Sequence, residues 1–130
     1  MAYLLDTNII IHARDGDEQV LSALADHDGT VVISALSLAE LQRGLVKNSD
    51  QAALRATRLQ ILLDAIPIIP FDANAARIYG GIIAQCGWVR GRDFDRMIAA
   101  TALSVAAILV TNNTADFQDI PGLVLADWKR

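Results

Sequence analysis

Short apolar runs alternate with helical segments along the whole chain, and this alternation limits the fold more than any other feature. Strands are predicted at residues 3–5, 30–33, 66–69, 108–110 and 123–125. Helices are predicted at 9–13, 17–25, from 34 past 45, 51–63, 72–86 and 94–106. Strands that alternate with helices are joined by right-handed crossovers, so the sequence predicts an α/β fold with a parallel sheet. Pro67 and Pro70 favour an edge position for the third strand.

The length and composition fit one domain over residues 1–130. Hydrophobic residues make up 53% of the 130 positions, which fits a sheet buried on both faces and leaves apolar surface for a partner. The longest apolar stretch, residues 97–110, is shorter than the roughly 18 residues of a membrane span. The N-terminus lacks the basic region of a signal peptide. Cys86 is the single cysteine, which favours a reducing cytoplasm.

Four carboxylates stand where a predicted strand hands over to a helix or loop: Asp6, Glu40, Asp95 and Asp116. The carboxyl ends of parallel strands lie at one edge of a sheet, where such folds bind ligands. Clustered carboxylates repel one another, so a cation is expected among them. Oxygen ligands favour a hard divalent metal, Mg²⁺ or Mn²⁺. The pattern therefore points to phosphoryl-ester chemistry.

Asp6 and Glu40 also have ordinary structural interpretations. Asp6 is in place to cap the first helix, although Thr7 or Asn8 would cap it equally well and leave Asp6 for a metal. Ser37 and Glu40 have the spacing of a capping box. Ser34 is a competing start signal that would place Glu40 in the second helical turn, beyond capping range.

Asp95 and Asp116 are similarly open to two interpretations. A negative charge in the first turn of a helix is favoured by roughly 0.3–1 kcal/mol whatever its function, which applies to Asp95. Asp93 is the natural N-cap of that helix and so leaves Asp95 spare. Asp116 lies in a polar turn, where acids are usually solvated. The case for function rests on the expected meeting of all four acids.

The charge balance gives a mixed signal. The net charge of −4 and pI near 4.9 argue against nucleic-acid binding. Bound metal would neutralise several acids, and the basic residues are grouped along the chain: Arg43, Lys47, Arg55, Arg58, Arg90, Arg92 and Arg96.

Three other functions are alternatives to metal-dependent cleavage. A metal-free ribonuclease would use His12 and His27 as acid and base. A phosphohydrolase with an aspartate nucleophile would require Asp-x-Asp after the first strand, whereas the chain has Asp6-Thr7-Asn8. A non-catalytic module that binds RNA or a partner would be expected to lack one or more of the acids.

Five motifs in order resemble the PIN-domain ribonucleases, and within them the VapC-type toxins of bacterial toxin–antitoxin pairs. The motifs are Leu4-Leu5-Asp6-Thr7-Asn8, Ser34-Ala35-Leu36-Ser37-Leu38-Ala39-Glu40-Leu41, Asp95-Arg96-Met97-Ile98-Ala99-Ala100, Val110-Thr111-Asn112-Asn113 and Asp116-Phe117. The match runs from the first strand to Trp128, which is essentially the whole chain.

The resemblance implies a PIN-like three-layer α/β/α sandwich and a metal-dependent endoribonuclease using Mg²⁺ or Mn²⁺. It assigns metal-ligand and catalytic roles to Asp6, Glu40, Asp95 and Asp116, and a catalytic supporting role to Thr111. Asp93 is the alternative ligand to Asp95, although the Asp-x-x-Ile-Ala-Ala pattern favours Asp95. Asn8 and Asn113 fall at positions that often support the site.

The resemblance also implies partners. A VapB-type antitoxin would wrap the toxin and occlude the site with a basic side chain, and operator DNA would bind only through the antitoxin. A homodimer and a toxin–antitoxin hetero-oligomer are expected, without membrane association. The expected substrate is a structured RNA such as tRNA. Its backbone contacts are expected from Arg43, Lys47, Arg90, Arg92 and Arg96.

Overall fold

The fold is a parallel five-stranded sheet in the order β3-β2-β1-β4-β5. The structure is a computed structural model that describes residues 1–47 and 51–129, with side chains at 1–45 and 51–129. The strands are β1 (Tyr3–Leu5), β2 (Val31–Ser34), β3 (Ile68–Ile69), β4 (Ile108–Val110) and β5 (Leu125–Ala126). The helices are α1 (Thr7–Arg14), α2 (Glu18–Asp26), α3 (Ala35–Lys47), α4 (Ala52–Ala65), α5 (Ala73–Cys86) and α6 (Asp93–Ser104). The predicted α/β fold with a parallel sheet is confirmed.

Helices cover both faces of the sheet. Successive side chains of a strand point to opposite faces, so Leu4 belongs to one apolar cluster and Leu5 to the other. The first cluster joins Leu4 and Leu109 to the apolar faces of α5 and α6. The second joins Leu5 and Val110 to α1, α2, α3 and α4. The result is the three-layer sandwich that the sequence predicted.

Local signals at the element ends are mostly as expected. Asp72 accepts a hydrogen bond from the Ala75 backbone at 2.9 Å and caps α5, and Gly87 ends that helix with a φ of 80°. The short strand β3 is at an edge of the sheet, as its flanking prolines indicated.

Several predicted boundaries are wrong by a few residues. Strand β3 covers Ile68–Ile69 instead of 66–69, and α1 begins at Thr7 instead of residue 9. Strand β2 runs to Ser34 instead of ending at residue 33. The last strand is Leu125–Ala126 instead of 123–125, because Leu109 N donates to Val124 O and Thr111 N donates to Ala126 O, both at 2.9 Å. Helix α6 ends at Ser104 instead of residue 106. None of the described helices is long and apolar enough to cross a bilayer.

Candidate active site

The parallel sheet brings the ends of three strands to one edge. Leu5, the last residue of β1, pairs with Ile33 of β2 and with Val110 of β4. The chain therefore delivers Asp6 and Thr111 side by side just beyond two adjacent strands. A backbone hydrogen bond of 2.9 Å from Asp6 N to Val110 O holds the ends of these two strands together.

Asp6 is held through both of its carboxylate oxygens. It is 5% exposed, and its Oδ1 accepts from the Thr7 backbone at 2.8 Å while its Oδ2 accepts from the Thr111 hydroxyl at 2.9 Å. Asp6 is itself the N-cap of α1, so the expectation that Thr7 or Asn8 would cap this helix is wrong. A carboxylate oxygen has more than one acceptor site, so these bonds leave Asp6 able to bind a cation as well.

Glu40 reaches the same edge from α3. Helix α3 begins at Ala35, directly after Ser34, which places Glu40 in its second turn and outside capping range. The Thr7 hydroxyl lies 2.8 Å from Glu40 Oε1 and 2.9 Å from the buried Ser37 hydroxyl. Since a carboxylate only accepts, the Thr7 hydroxyl donates to Glu40 and fixes it beside Asp6.

Asp95 lies in the first turn of α6 and has an unusual electrostatic environment. Its pKa is raised, first by burial and then by the negative charges of Asp6 and Asp116. The pKa of Asp6 is raised too, mainly by burial, with a contribution from Glu40 and Asp116. Asp6 therefore feels the charges of Glu40 and Asp116, and Asp95 feels those of Asp6 and Asp116.

Asp116 comes from the short helical turn Thr114–Asp116 after β4. Its Oδ2 accepts a hydrogen bond from the Asn113 side-chain amide, and its Oδ1 lies 3.4 Å from the Arg92 guanidinium. The Asn113 backbone donates to the Thr111 hydroxyl at 3.0 Å. Thr111 and Asn113 therefore connect Asp116 to Asp6.

Three of the acids, Asp6, Glu40 and Asp95, border a cavity of about 300 Å³ at this edge of the sheet. The residues that line it are Asp6, Thr7, Asn8, Ile11, Glu40, Arg43, Gly44, Asp95 and Asn113. Residues from four separate parts of the sequence thus meet at one opening.

A comparison with protein families matches residues 3–123 to the PIN domain. The chain belongs to the PIN-domain family. The resemblance noted in the sequence is thereby confirmed.

Relatives and solved structures agree with the family. Ribonuclease VapC2 of Rickettsia felis is 37% identical over 137 residues, covering 100% of both chains. The tRNA(fMet)-specific endonuclease VapC of Shigella flexneri is 33% identical over 98% of both chains. The VapBC2 complex of Rickettsia felis, bound to a DNA fragment from its promoter, superposes with a TM-score of 0.88 at 33% identity, covering 99% of this chain and 100% of that one. FitAcB of Neisseria gonorrhoeae gives a TM-score of 0.81 at 29% identity over 97% of both chains.

The donor chemistry of this PIN domain suits a hard divalent cation. The acids around the cavity offer oxygen ligands, and burial makes the negative charge of Asp6 and Asp95 costly enough to raise their pKa values. As the side chains stand, no three or more Asp, Glu, His or Cys residues in the described part of the chain are arranged to hold an ion. Protein donors occupy some of the oxygens instead, with Thr7 on Glu40 and Arg92 on Asp116.

Asp93, the alternative to Asp95, is engaged elsewhere. Its Oδ1 accepts from the Tyr79 hydroxyl at 2.7 Å and from the Trp88 indole at 3.0 Å. Arg92 is at the N-cap position of α6 and makes no side-chain capping bond, so the expectation that Asp93 caps this helix is wrong. Sequence reasoning missed Tyr79, because nothing in the local pattern links it to a residue 14 positions away.

The basic residues divide into two groups. Arg96 was expected to contact RNA, but it is 2% exposed and forms a bidentate pair with Asp119 at 2.9 and 3.0 Å. That expectation is therefore wrong for Arg96, which is a packing residue. Arg43 and Arg90 are exposed, and Arg43 lines the cavity. The side chain of Lys47 is outside the described residues.

The two histidines lie at opposite ends of the sheet. The His27 ring packs against Tyr3, at the start of β1, and stacks on Trp128 with ring centroids 5.1 Å apart. His12 lies 3.4 Å from the side-chain amide of Asn112, beyond the end of β4. Because an acid and a base must both reach one phosphate, this placement argues against the metal-free histidine ribonuclease.

Proposed function

We propose that this protein is a metal-dependent endoribonuclease of the VapC type that cleaves structured RNA such as tRNA. It acts as the toxin of a toxin–antitoxin pair. The observation that carries the proposal is the placement of Asp6, Glu40 and Asp95 around one cavity, with Asp116 bonded to the lining residue Asn113 and with raised pKa values at Asp6 and Asp95. The ribonuclease and endonuclease relatives support the same reaction.

Four residues would hold the metal ion, Mg²⁺ or Mn²⁺: Asp6, Asp95 and Asp116, with Glu40. Asp95 is assigned in place of Asp93 because Tyr79 and Trp88 already occupy the Asp93 carboxylate. A bound divalent ion supplies a water of lowered pKa and stabilises charge on the scissile phosphate.

The protein groups around the acids keep the site in position. Asp6 is oriented by the Thr7 backbone and the Thr111 hydroxyl. Thr7 engages Oε1 of Glu40, which leaves Oε2 to accept a hydrogen bond from the attacking water. Arg43 at the cavity and Arg92 beside Asp116 are placed to contact the phosphates of the RNA. In-line attack by water leaves 5′-phosphate and 3′-hydroxyl ends.

The test is cleavage of total cellular RNA by the purified protein with Mn²⁺, with EDTA, and with Asp6→Asn. Asparagine can still cap α1, so the variant is expected to fold and to lose cleavage. Asp26→Asn is the matched control, because Asp26 is exposed at the end of α2, away from the cavity. Metal-dependent cuts with 5′-phosphate ends support the proposal.

Two outcomes contradict it. Cuts that survive EDTA and leave cyclic phosphates would return the mechanism to His12 and His27. An absence of cuts in every RNA, with metal and RNA both bound, would favour the non-catalytic binding module.

The proposed partner is a VapB-type antitoxin. The solved VapBC complexes support this assignment, as do exposed apolar side chains on the α2 and α4 helices, among them Leu21, Leu54 and Ile61. The proposal includes a homodimer within a larger toxin–antitoxin assembly and contact with operator DNA only through the antitoxin; the DNA-bound VapBC structures support the association with DNA. Co-purification with the product of a neighbouring small reading frame, and the mass of the complex, test the partner directly.

The proposed place of action is the cytoplasm. Structured RNA substrates are found there, and Cys86, a free thiol, is compatible with a reducing compartment. Fractionation of cells that express the tagged protein with its partner would check this.

A further inference from the structure

An exposed tryptophan lies next to the helix that carries Asp95. Trp88 is 60% exposed, and its neighbours Val89 and Phe94 are 42% and 39% exposed. Large aromatic side chains usually bury most of their surface, so three exposed apolar residues on one short stretch are unexpected. Trp88 and Val89 belong to the connection between α5 and α6, and Phe94 lies in the first turn of α6.

The connection has a defined shape. It lies between Gly87 and Gly91, which have φ values of 80° and 84° that other residues rarely adopt. Arg92 N donates to Val89 O at 3.2 Å, which closes a turn with Gly91 at its third position. A turn of this kind needs a positive φ there. Trp88 therefore lies directly before a closed turn, Val89 to Arg92.

A hydrogen bond fixes one edge of the indole. Trp88 Nε1 donates to Asp93 Oδ1 at 3.0 Å, and the Tyr79 hydroxyl holds the same oxygen at 2.7 Å. This carboxylate raises the pKa of Tyr79 by favouring its protonated form. With its only polar atom engaged, Trp88 offers solvent the apolar surface of its ring.

Arginines lie in the turn that follows Trp88 and at the acid cavity. Arg90 is exposed in the same turn, and Arg92 reaches Asp116 at 3.4 Å. The Arg43 guanidinium lies 5.9 Å from the centre of the Phe94 ring, and Arg43 also lines the cavity. Aromatic faces interleaved with arginines are the usual platform for single-stranded nucleic acid, in which bases stack and phosphates pair with cations.

We propose that Trp88, positioned by Asp93, is a stacking site for an unpaired nucleobase of the RNA substrate near the scissile phosphate. The inference rests on the proposed function and names what that site selects. Stacking requires a splayed base, so the site favours a loop or bulge over a continuous duplex. Arg90 and Arg43 hold the phosphates on either side of the stacked base.

The test is a binding titration in the Asp6→Asn background with EDTA present, so that no RNA is cut. The probe is a labelled single-stranded RNA of about 10 nucleotides, within the range of a single-strand binding site, followed by fluorescence anisotropy. Trp88→Ala is expected to weaken binding roughly 5- to 100-fold, the range for loss of one base stack. Trp88→Phe retains an aromatic face and is expected to keep most of the affinity. Trp128→Phe, which changes a packed tryptophan, is the matched control.

Salt dependence separates stacking from charge. Trp88→Ala is expected to lower affinity at every salt concentration without changing the salt slope, because stacking releases no counterions. Arg90→Ala is expected to reduce the slope by about 0.7 if its charge pairs with one phosphate of a single strand. Asp93→Ala frees the indole edge and is expected to give a smaller loss than Trp88→Ala.

Three results would overturn the stacking site. The first is equal affinity of Trp88→Ala and its parent. The second is binding of the same strand as a duplex with undiminished dependence on Trp88. The third is a change of molecular mass on Trp88→Ala in sedimentation, which would make Trp88 a contact between copies. The assay requires no catalysis, so a failure to cleave RNA would refute the nuclease proposal while leaving Trp88-dependent binding measurable.

Discussion

The first turn of α6 carries two aspartates, Asp93 and Asp95, in opposite situations. Asp93 is held by two donors, Tyr79 and Trp88. Asp95 receives no hydrogen bond to its carboxylate from the described residues, and its pKa is raised by burial and by Asp6 and Asp116. Asp93 and Asp95 are only two residues apart in the helix, yet the first carboxylate is hydrogen-bonded and the second carries an unfavourable charge.

The same contrast separates the two sides of α6 more widely. Arg96 and Asp119 satisfy each other in a bidentate pair, and that pair lowers the pKa of Asp119. The cavity side gathers acids, and burial together with their mutual repulsion raises the pKa values of Asp6 and Asp95. Paired charges serve the fold, whereas an unbalanced cluster carries a cost in stability, which makes the cavity side a candidate functional site.

The largest expected effect separates the two aspartates directly. Asp95→Asn is expected to lower the cleavage rate by on the order of 10²–10³-fold, the loss typical of one electrostatic group at an active site. Asp93→Asn keeps an acceptor oxygen for Tyr79 and Trp88 and is expected to retain most of the activity. Single-turnover cleavage of one RNA with Mn²⁺ measures both. Equal losses would refute the assignment of Asp95 over Asp93.

The Arg96–Asp119 pair predicts an asymmetric effect on stability. The Arg96 side chain is 3% exposed and that of Asp119 is 51% exposed. Asp119→Ala strands a buried guanidinium and is expected to cost about 3 kcal/mol. Arg96→Met leaves a carboxylate that water can solvate and also removes Nε, a buried atom without a partner, so about 1 kcal/mol is expected. Urea unfolding measures both free energies, and a greater loss for Arg96→Met would reverse the interpretation.

Thr111 provides the next test of the cavity side. Its hydroxyl joins Asp6 Oδ2 to the Asn113 backbone. Thr111→Val keeps the shape and removes both bonds, so a loss of roughly 10- to 100-fold in metal affinity or cleavage is expected, as for other groups that orient a metal ligand. Thr111→Ser restores the hydroxyl and is expected to recover most of it. Mn²⁺ titration followed by electron paramagnetic resonance gives the affinity, and equal behaviour of the valine and serine variants would contradict the role.

The fold was largely predictable because its signals are local. Apolar runs of a few residues define the strands, and Asp72 and Gly87 mark both ends of α5 without help from distant residues. The meeting of the acids was also predictable, since parallel strands place their carboxyl ends together. That prediction required only the order of strands and helices along the chain.

The details that failed depend on contacts between distant residues. Thr7, Asn8 and Asp6 are equally suited by residue type to cap α1. Asp6 is the residue that caps it, and the same carboxylate accepts a hydrogen bond from Thr111, 105 positions away. Arg96 looked like a surface base, and Asp119, 23 positions later, makes it a buried one. The available signal was that Arg96 stands between Asp95 and Ile98 in the sequence, on an apolar face of the helix. The catalytic roles assigned to the site residues stay predictions until the variants are measured.

The smallest expected effect is on the pH dependence of stability, which tests the cost of charging Asp6 and Asp95. A folded-state pKa above the usual 3.8 means that the native Asp6 and Asp95 bind protons more tightly than the unfolded chain does. The contribution of these two groups to the free energy of unfolding of the metal-free protein therefore falls as pH rises from near 3.8 through their raised pKa values. Asp6→Asn cannot develop the charge, so its stability relative to the wild type is expected to grow over this range. Thermal unfolding in EDTA at a series of pH values measures the difference.

Asp119 supplies the opposite sign within the same protein. Its pKa is lowered by Arg96, so its stabilising contribution is present above its unfolded-state pKa and is lost as pH falls through the folded-state value. Asp119→Ala is accordingly expected to differ less from the wild type in acid than at neutral pH. Adding Mn²⁺ at neutral pH is expected to reduce the advantage of Asp6→Asn and to leave the deficit of Asp119→Ala in place. If Mn²⁺ changed neither difference, the repulsion at the cavity would not be what a metal relieves.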